Sequence, residues 1–95
     1  MTTPCGYQQI TTLSAAANLT VPAANALPGQ SQAPTYCLII AETQAVRWRD
    51  DGTAPTATVG QPLAVGAELR YTGDMKKIQF FEQVASAKLN IVYYY

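Results

Sequence analysis

No stretch of this chain keeps one hydrophobic pattern for long. Turn-forming residues break it into short segments, and most of those segments alternate with a period of two. Alternation places successive side chains on opposite faces of an extended backbone, so it is the mark of a half-buried strand. In residues 45–50, Val46 and Trp48 fall on one side and Arg47 and Arg49 on the other. In residues 67–72, Leu69 and Tyr71 point inward and Glu68 and Arg70 outward. In residues 87–95, Leu89, Ile91 and Tyr93 alternate with Lys88, Asn90, Val92 and Tyr94. Residues 77–84 place Ile78 and Phe80 together; Phe81 breaks the pattern, which predicts a bulge or a second buried face. Residues 11–21 also alternate. Ala15, Ala16 and Ala17 would suit a helix, but Thr and Asn are weak there, so a strand is expected. Residues 36–41 are apolar without a break, which reads as a strand buried on both faces.

The connections are equally legible. Residues 21–34 hold Pro22, Pro28, Gly29 and Pro34 and read as a long loop. Asp50, Asp51 and Gly52 read as a turn, as do Gly73 and Asp74. Residues 53–59 are Thr-rich but interrupted by Pro55, which suits an edge strand. The expected fold is all-β: a small antiparallel β-sandwich or barrel of about six to seven short strands. Residues 11–95 form its single domain, and residues 1–10, with Pro4 and Gly6 and no regular pattern, form an extended N-terminal arm. The expected core is Val46, Trp48, Leu69, Tyr71, Ile78, Phe80, Leu89 and Ile91.

Charge is distributed very unevenly. Residues 1–41 contain no Asp, Glu, Lys or Arg; all twelve charges lie between Glu42 and Lys88, and they sum to zero. Charged residues are 13% of the chain, against about 25% in ordinary soluble domains. The uncharged segment is too apolar for a solvated tail, with Ile10, Leu13, Leu19, Val21 and Leu27 ahead of the 36–41 run. Two readings stay open: another subunit covers part of it, or it is ordinary for a small domain rich in Thr and Ala. The balance of charge excludes a basic nucleic-acid-binding surface. The longest apolar run, at residues 36–41, is far short of a membrane span. The start lacks the basic and apolar pattern of a secretory signal, so assembly in the cytoplasm with reduced Cys5 and Cys37 is expected. With no His, the commonest general base and metal ligand is missing. The chain is therefore not expected to be an enzyme, and no catalytic, cofactor or metal residues are assigned.

Three stretches carry a resemblance. They are the Arg47-Trp-Arg-Asp-Asp-Gly run with the following Pro55-Thr-Ala-Thr-Val-Gly, the stretch Lys88-Leu-Asn-Ile-Val-Tyr-Tyr-Tyr, and Leu19-Thr-Val-Pro. Together they resemble small structural proteins of tailed bacteriophages, over most of the chain from Leu13 onward. The resemblance implies a virion component: a decoration (cement) protein on the capsid exterior, bridging subunits of the major capsid protein. It also implies a homo-oligomer, with a trimer expected because such proteins often sit on threefold axes. Head–tail junctions and fibres carry similar domains, so a module that binds another virion protein or a host-surface glycan is the alternative. Residues 21–34 depart from the family, which has a short Pro-Ala-Gly turn there.

Several residues stand out as interface candidates. Tyr7 and Ile10 would anchor the arm on a neighbour, Arg47 and Arg49 would pair with a partner's carboxylates, and Tyr94 and Tyr95 would bury area while keeping a hydroxyl free. Asp50 is expected to pair with Arg47 or Arg49 inside a turn rather than to hold calcium. Trp48 is expected to be a core anchor rather than a stacking platform. An exposed Trp48 beside the arginines, with residues 30–34 nearby, would instead favour glycan binding.

Overall fold

The computed structural model describes residues 3–95. Its elements are eight strands and no helix: β1 (Pro4–Ile10), β2 (Ala17–Asn18), β3 (Tyr36–Glu42), β4 (Val46–Arg49), β5 (Gln61–Leu63), β6 (Glu68–Tyr71), β7 (Gln79–Glu82) and β8 (Lys88–Tyr94). They form two antiparallel four-stranded sheets, the first in the order β1-β8-β3-β6 and the second in the order β2-β7-β4-β5. Both sheets feed one buried cluster. Cys37, Ile39, Tyr71, Leu89, Ile91 and Tyr93 come from the first sheet, and Val46, Leu63 and Phe80 from the second. Cys5 and Ala41 of the first sheet join it, as do Leu13, Leu19, Met75, Ile78 and Ala87 outside the strands.

The alternation read from the sequence holds in β6 and β8, where the apolar member of each pair is the more buried. In β4 Val46 is buried, but Arg47, Trp48 and Arg49 are all half-buried. Trp48 is only partly buried; its ring meets Tyr71 edge-on at 6.0 Å between centroids.

Four expectations need correction. First, most of residues 1–10 is not an arm. Met1 and Thr2 lie outside the described residues, but Pro4–Ile10 is an edge strand paired along β8, with a register shift between Pro4 and Gly6. Its pattern was hidden because Gln8 faces the side of Tyr93, whose hydroxyl donates to Gln8 Oε1 at 2.7 Å. This adds a strand to the expected count. Second, residues 11–21 form a ladder only at Ala17 and Asn18. Leu13 and Leu19 are still buried, and Leu13 O accepts from Glu82 N at 2.9 Å, so the alternation marked core positions rather than a full strand. Third, residues 53–59 are not a strand. They curl on themselves: Thr56 N donates to Val59 O at 2.9 Å, and Val59 N to Thr56 Oγ1 at 3.0 Å. The edge is β5 instead, and it does carry a proline, Pro62. Fourth, β3 is buried on one face only. Cys37, Ile39 and Ala41 are in the core, while Leu38 is half-buried and Ile40 is 38% exposed. No further layer among the described residues covers that side.

The long loop between β2 and β3 is built around a buried glutamine. Gln30 Nε2 donates to Ala23 O at 2.7 Å and to Gln32 O at 2.9 Å, and Gln30 Oε1 accepts from Leu27 N at 3.1 Å. The amide thus satisfies loop backbone groups that a buried position would otherwise leave unpaired. At the opposite end of β3, Thr43 and Ser86 adopt left-handed backbones (φ 70° and 75°) in facing turns, and Thr43 Oγ1 donates to Ser86 O at 2.6 Å.

Candidate interaction surfaces

Cross-strand register fixes what the outer face of the first sheet presents. Tyr7, Val92, Leu38 and Arg70 stand opposite one another across all four strands. The next row runs Gln9, Asn90, Ile40 and Glu68. Pro4, Tyr94 and Tyr36 form the row on the other side. An antiparallel sheet that faces water ordinarily shows polar residues there. This face instead carries Tyr7, Tyr36, Leu38, Ile40, Val92 and Tyr94 as neighbours, and Tyr7 is 62% exposed. Tyr36 and Tyr94 stack at 5.3 Å with 15° between their planes. Arg70 lies over the Tyr36 ring, its Cζ 4.5 Å from the centroid.

Polar groups frame this patch along one side. Asn90 Oδ1 accepts from the Tyr7 hydroxyl and, at 3.2 Å, from Gln9 Nε2; Asn90 Nδ2 donates to Glu42 Oε1 at 2.7 Å. Asn90 was not singled out in the sequence. Its outward parity in β8 was the available signal, but its partners come from strands remote in the chain.

The remaining candidates are differently placed. Ile10 is half-buried and packs against the core. Tyr95 is half-buried; it continues the β1–β8 ladder through Thr3, and its hydroxyl accepts from Ser31 N at 3.1 Å. The Ser31 hydroxyl contact and, after it, the Ser31 N–H pull the phenol below the usual tyrosine range. Tyr95 therefore clamps the Gln30 loop. Arg47 Nη1 donates to Gly60 O at 2.9 Å, and its Nε is buried without a partner. Arg49 is engaged with Asp51: Nε donates to Oδ1 at 3.1 Å and Nη2 to Oδ2 at 2.5 Å. The Arg49 hydrogen bond holds the Asp51 carboxyl below the usual carboxylate range. The expected pairing of Asp50 with an arginine is thus corrected: Asp51 takes Arg49, and Asp50 Oδ2 accepts from the Tyr71 hydroxyl at 2.7 Å. Within residues 30–34, Gln30 and Pro34 are buried, while Ser31, Gln32 and Ala33 are exposed.

Cys5 and Cys37 are buried free thiols. Burial pushes the Cys37 thiol up to about 11 and raises Cys5 as well. These protonated thiols are poor nucleophiles and behave as small apolar core groups. Among the described residues, no cluster of three or more His, Cys, Asp or Glu is placed to hold a metal ion.

A groove of about 640 Å³ opens where β4 runs into the loop leading to β5, lined by Trp48, Arg49, Asp50, Asp51, Val59, Gly60 and Gln61. Gly60 shapes it. Its φ is 138°, and a Cβ there would sit 3.1 Å from Trp48 O and 3.2 Å from Arg47 Cβ and Pro55 Cβ. Comparison of the chain with protein-family models, with curated proteins and with solved structures finds no match to any of them.

Proposed function

We propose that this chain is a non-enzymatic structural protein of a tailed-bacteriophage virion, a β-sandwich that decorates the capsid exterior and cements major capsid protein subunits. The observation that carries the reading is the apolar outer face of the first sheet. Side chains that would ordinarily be polar are Tyr7, Leu38, Ile40 and Val92, together with the Tyr36–Tyr94 stack. Tyr7, Tyr36, Leu38 and Ile40 all come from the uncharged part of the chain, which gives that composition a purpose: it supplies a surface to be covered. The resemblance of the Arg47–Gly52 region and of residues 88–95 to phage structural proteins favours the major capsid protein as the covering partner. A cement protein works mechanically. It adds contact area across a seam between subunits, and many copies acting together make modest contacts durable. Self-association into a trimer would multiply those contacts on a threefold axis.

The test is cryo-electron microscopy of the intact particle, with Leu38→Glu as the variant. Density for this fold on the capsid exterior, with β1, β8 and β3 against the major capsid protein, is the expected result. Leu38→Glu should fold, since Leu38 lies outside the buried cluster, and should be lost from purified particles. Density at the neck would replace the decoration role with a head–tail junction role. Particles that contain no copies would overturn the virion reading altogether.

A further inference from the structure

The groove beside Trp48 has a chemistry of its own, and the apolar sheet face does not use it. Four side chains set its character. Trp48 lines it while half-buried, its ring edge-on against Tyr71. Arg49 and Asp51 form a planar ion pair that presents donors and acceptors side by side. Gln61, exposed at the start of β5, adds an amide with both functions.

These features discriminate among ligands. The lining carries one positive and two negative side chains, and Arg49 is already neutralised by Asp51, so an anion or a phosphate backbone is disfavoured. A divalent cation would find two carboxylates, both engaged, and no third. A wholly apolar ligand would strip water from Asp50 and Asp51 without compensation. What fits is a neutral molecule with one apolar face and a rim of hydroxyls. A pyranose has this form: its C–H face lies on an aromatic ring while its hydroxyls exchange hydrogen bonds with an amide and a charged pair. We propose that this groove is a binding site for a neutral hexopyranose unit of a glycan.

The loop is preorganised for such a ligand. Tyr71 holds Asp50, Thr53 N donates to Asp51 Oδ1 at 3.3 Å, and Thr56 closes the far side on Val59. Little ordering is left to be done on binding. The site does not depend on the virion reading, because it is assembled within one chain.

Trp48 is the single tryptophan, so its fluorescence reports on this groove alone. The purified full chain is titrated with methyl α-glucoside, methyl β-galactoside, methyl α-mannoside and N-acetylglucosamine, with glycerol as a matched control. At least one sugar should give a saturable change with a millimolar midpoint, and glycerol none. Gln61→Ala and Asp51→Ala should each raise that midpoint about tenfold, the loss of one good hydrogen bond. Circular dichroism confirms that both variants fold. A linear response shared by all four sugars and glycerol overturns the proposal. So does a saturable response that neither variant moves.

Discussion

The two sheets solve different problems with the same kind of strand. In the first, three strands of seven residues lie side by side, so backbone ladders and a continuous inner face hold it together. Its outer face is then free to be apolar. In the second, no strand exceeds four residues, and the connections do much of the structural work. Asp50, Asp51, Thr56 and Gly60 shape a polar groove there by hydrogen bonds and close approach. Long strands yield a broad flat surface suited to a large partner. Short strands with an organised loop yield a small concave one.

Substitution inside and outside this frame gives the largest contrast. Phe80→Ala removes a fully buried ring of the second sheet and should cost about 3–5 kcal/mol in urea denaturation. Leu38→Ala, on the outer face of the first sheet, should cost under about 1 kcal/mol, near the typical range for surface changes. Equal costs would mean that the outer face is internally packed and not available to a partner.

Alkaline pH tests the inner face of the first sheet. The Cys37 thiol, whose ordinary value is 9.0, is raised to about 11 by desolvation. Between those values the unfolded chain loses the proton first, so it binds fewer protons than the folded chain and stability falls as pH rises. The thiol penalty is absent below pH 9 and reaches on the order of 2–3 kcal/mol at the upper end of that window. Cys37→Ala should flatten this fall, although burial also raises Tyr71 and Tyr93, which leave a residual slope. An unchanged profile in Cys37→Ala would locate the alkaline sensitivity elsewhere.

The smallest effect concerns the paired turns. Ser86 sits at φ 75°, a conformation that side chains resist. Ser86→Gly should therefore raise stability by about 0.5–1 kcal/mol, since its carbonyl contact with Thr43 is retained. Thermal denaturation reads this as a higher midpoint; a lower one would show that the serine hydroxyl is needed.

What the sequence made legible follows from these differences. Tyr71, Phe80, Leu89, Ile91 and Tyr93 were readable because alternation is a local property that β6 and β8 keep throughout and that Phe80 shares with Ile78 despite Phe81. The edges were harder. Residues 4–10 gave no pattern because Gln8 faces inward, and residues 53–59 looked extended although Thr56 folds them back. The first outcome depends on a partner remote in the chain, Tyr93, whereas the second is a local turn between Thr56 and Val59 that a Thr-rich run conceals. The interface candidates divided by strand parity and by their hydrogen-bond partners. Tyr7 and Tyr94 joined the outer face because parity placed them there, whereas Arg47, Arg49 and Tyr95 were claimed by Gly60, Asp51 and Ser31.

The apolar character of both sides of β3 has one more consequence. In most strands a slip of one position would throw greasy groups into water and be rejected. Here a slip would exchange Cys37, Ile39 and Ala41 for Leu38 and Ile40, and the hydrophobic pattern alone would hardly object. Correct alignment must come from β8 and β6, which clasp β3 from either side. Before they arrive during folding, residues 36–41 are an uncharged, proline-free segment of the kind that stacks into aggregates. The stickiness that would serve the proposed docking is a hazard for the nascent chain.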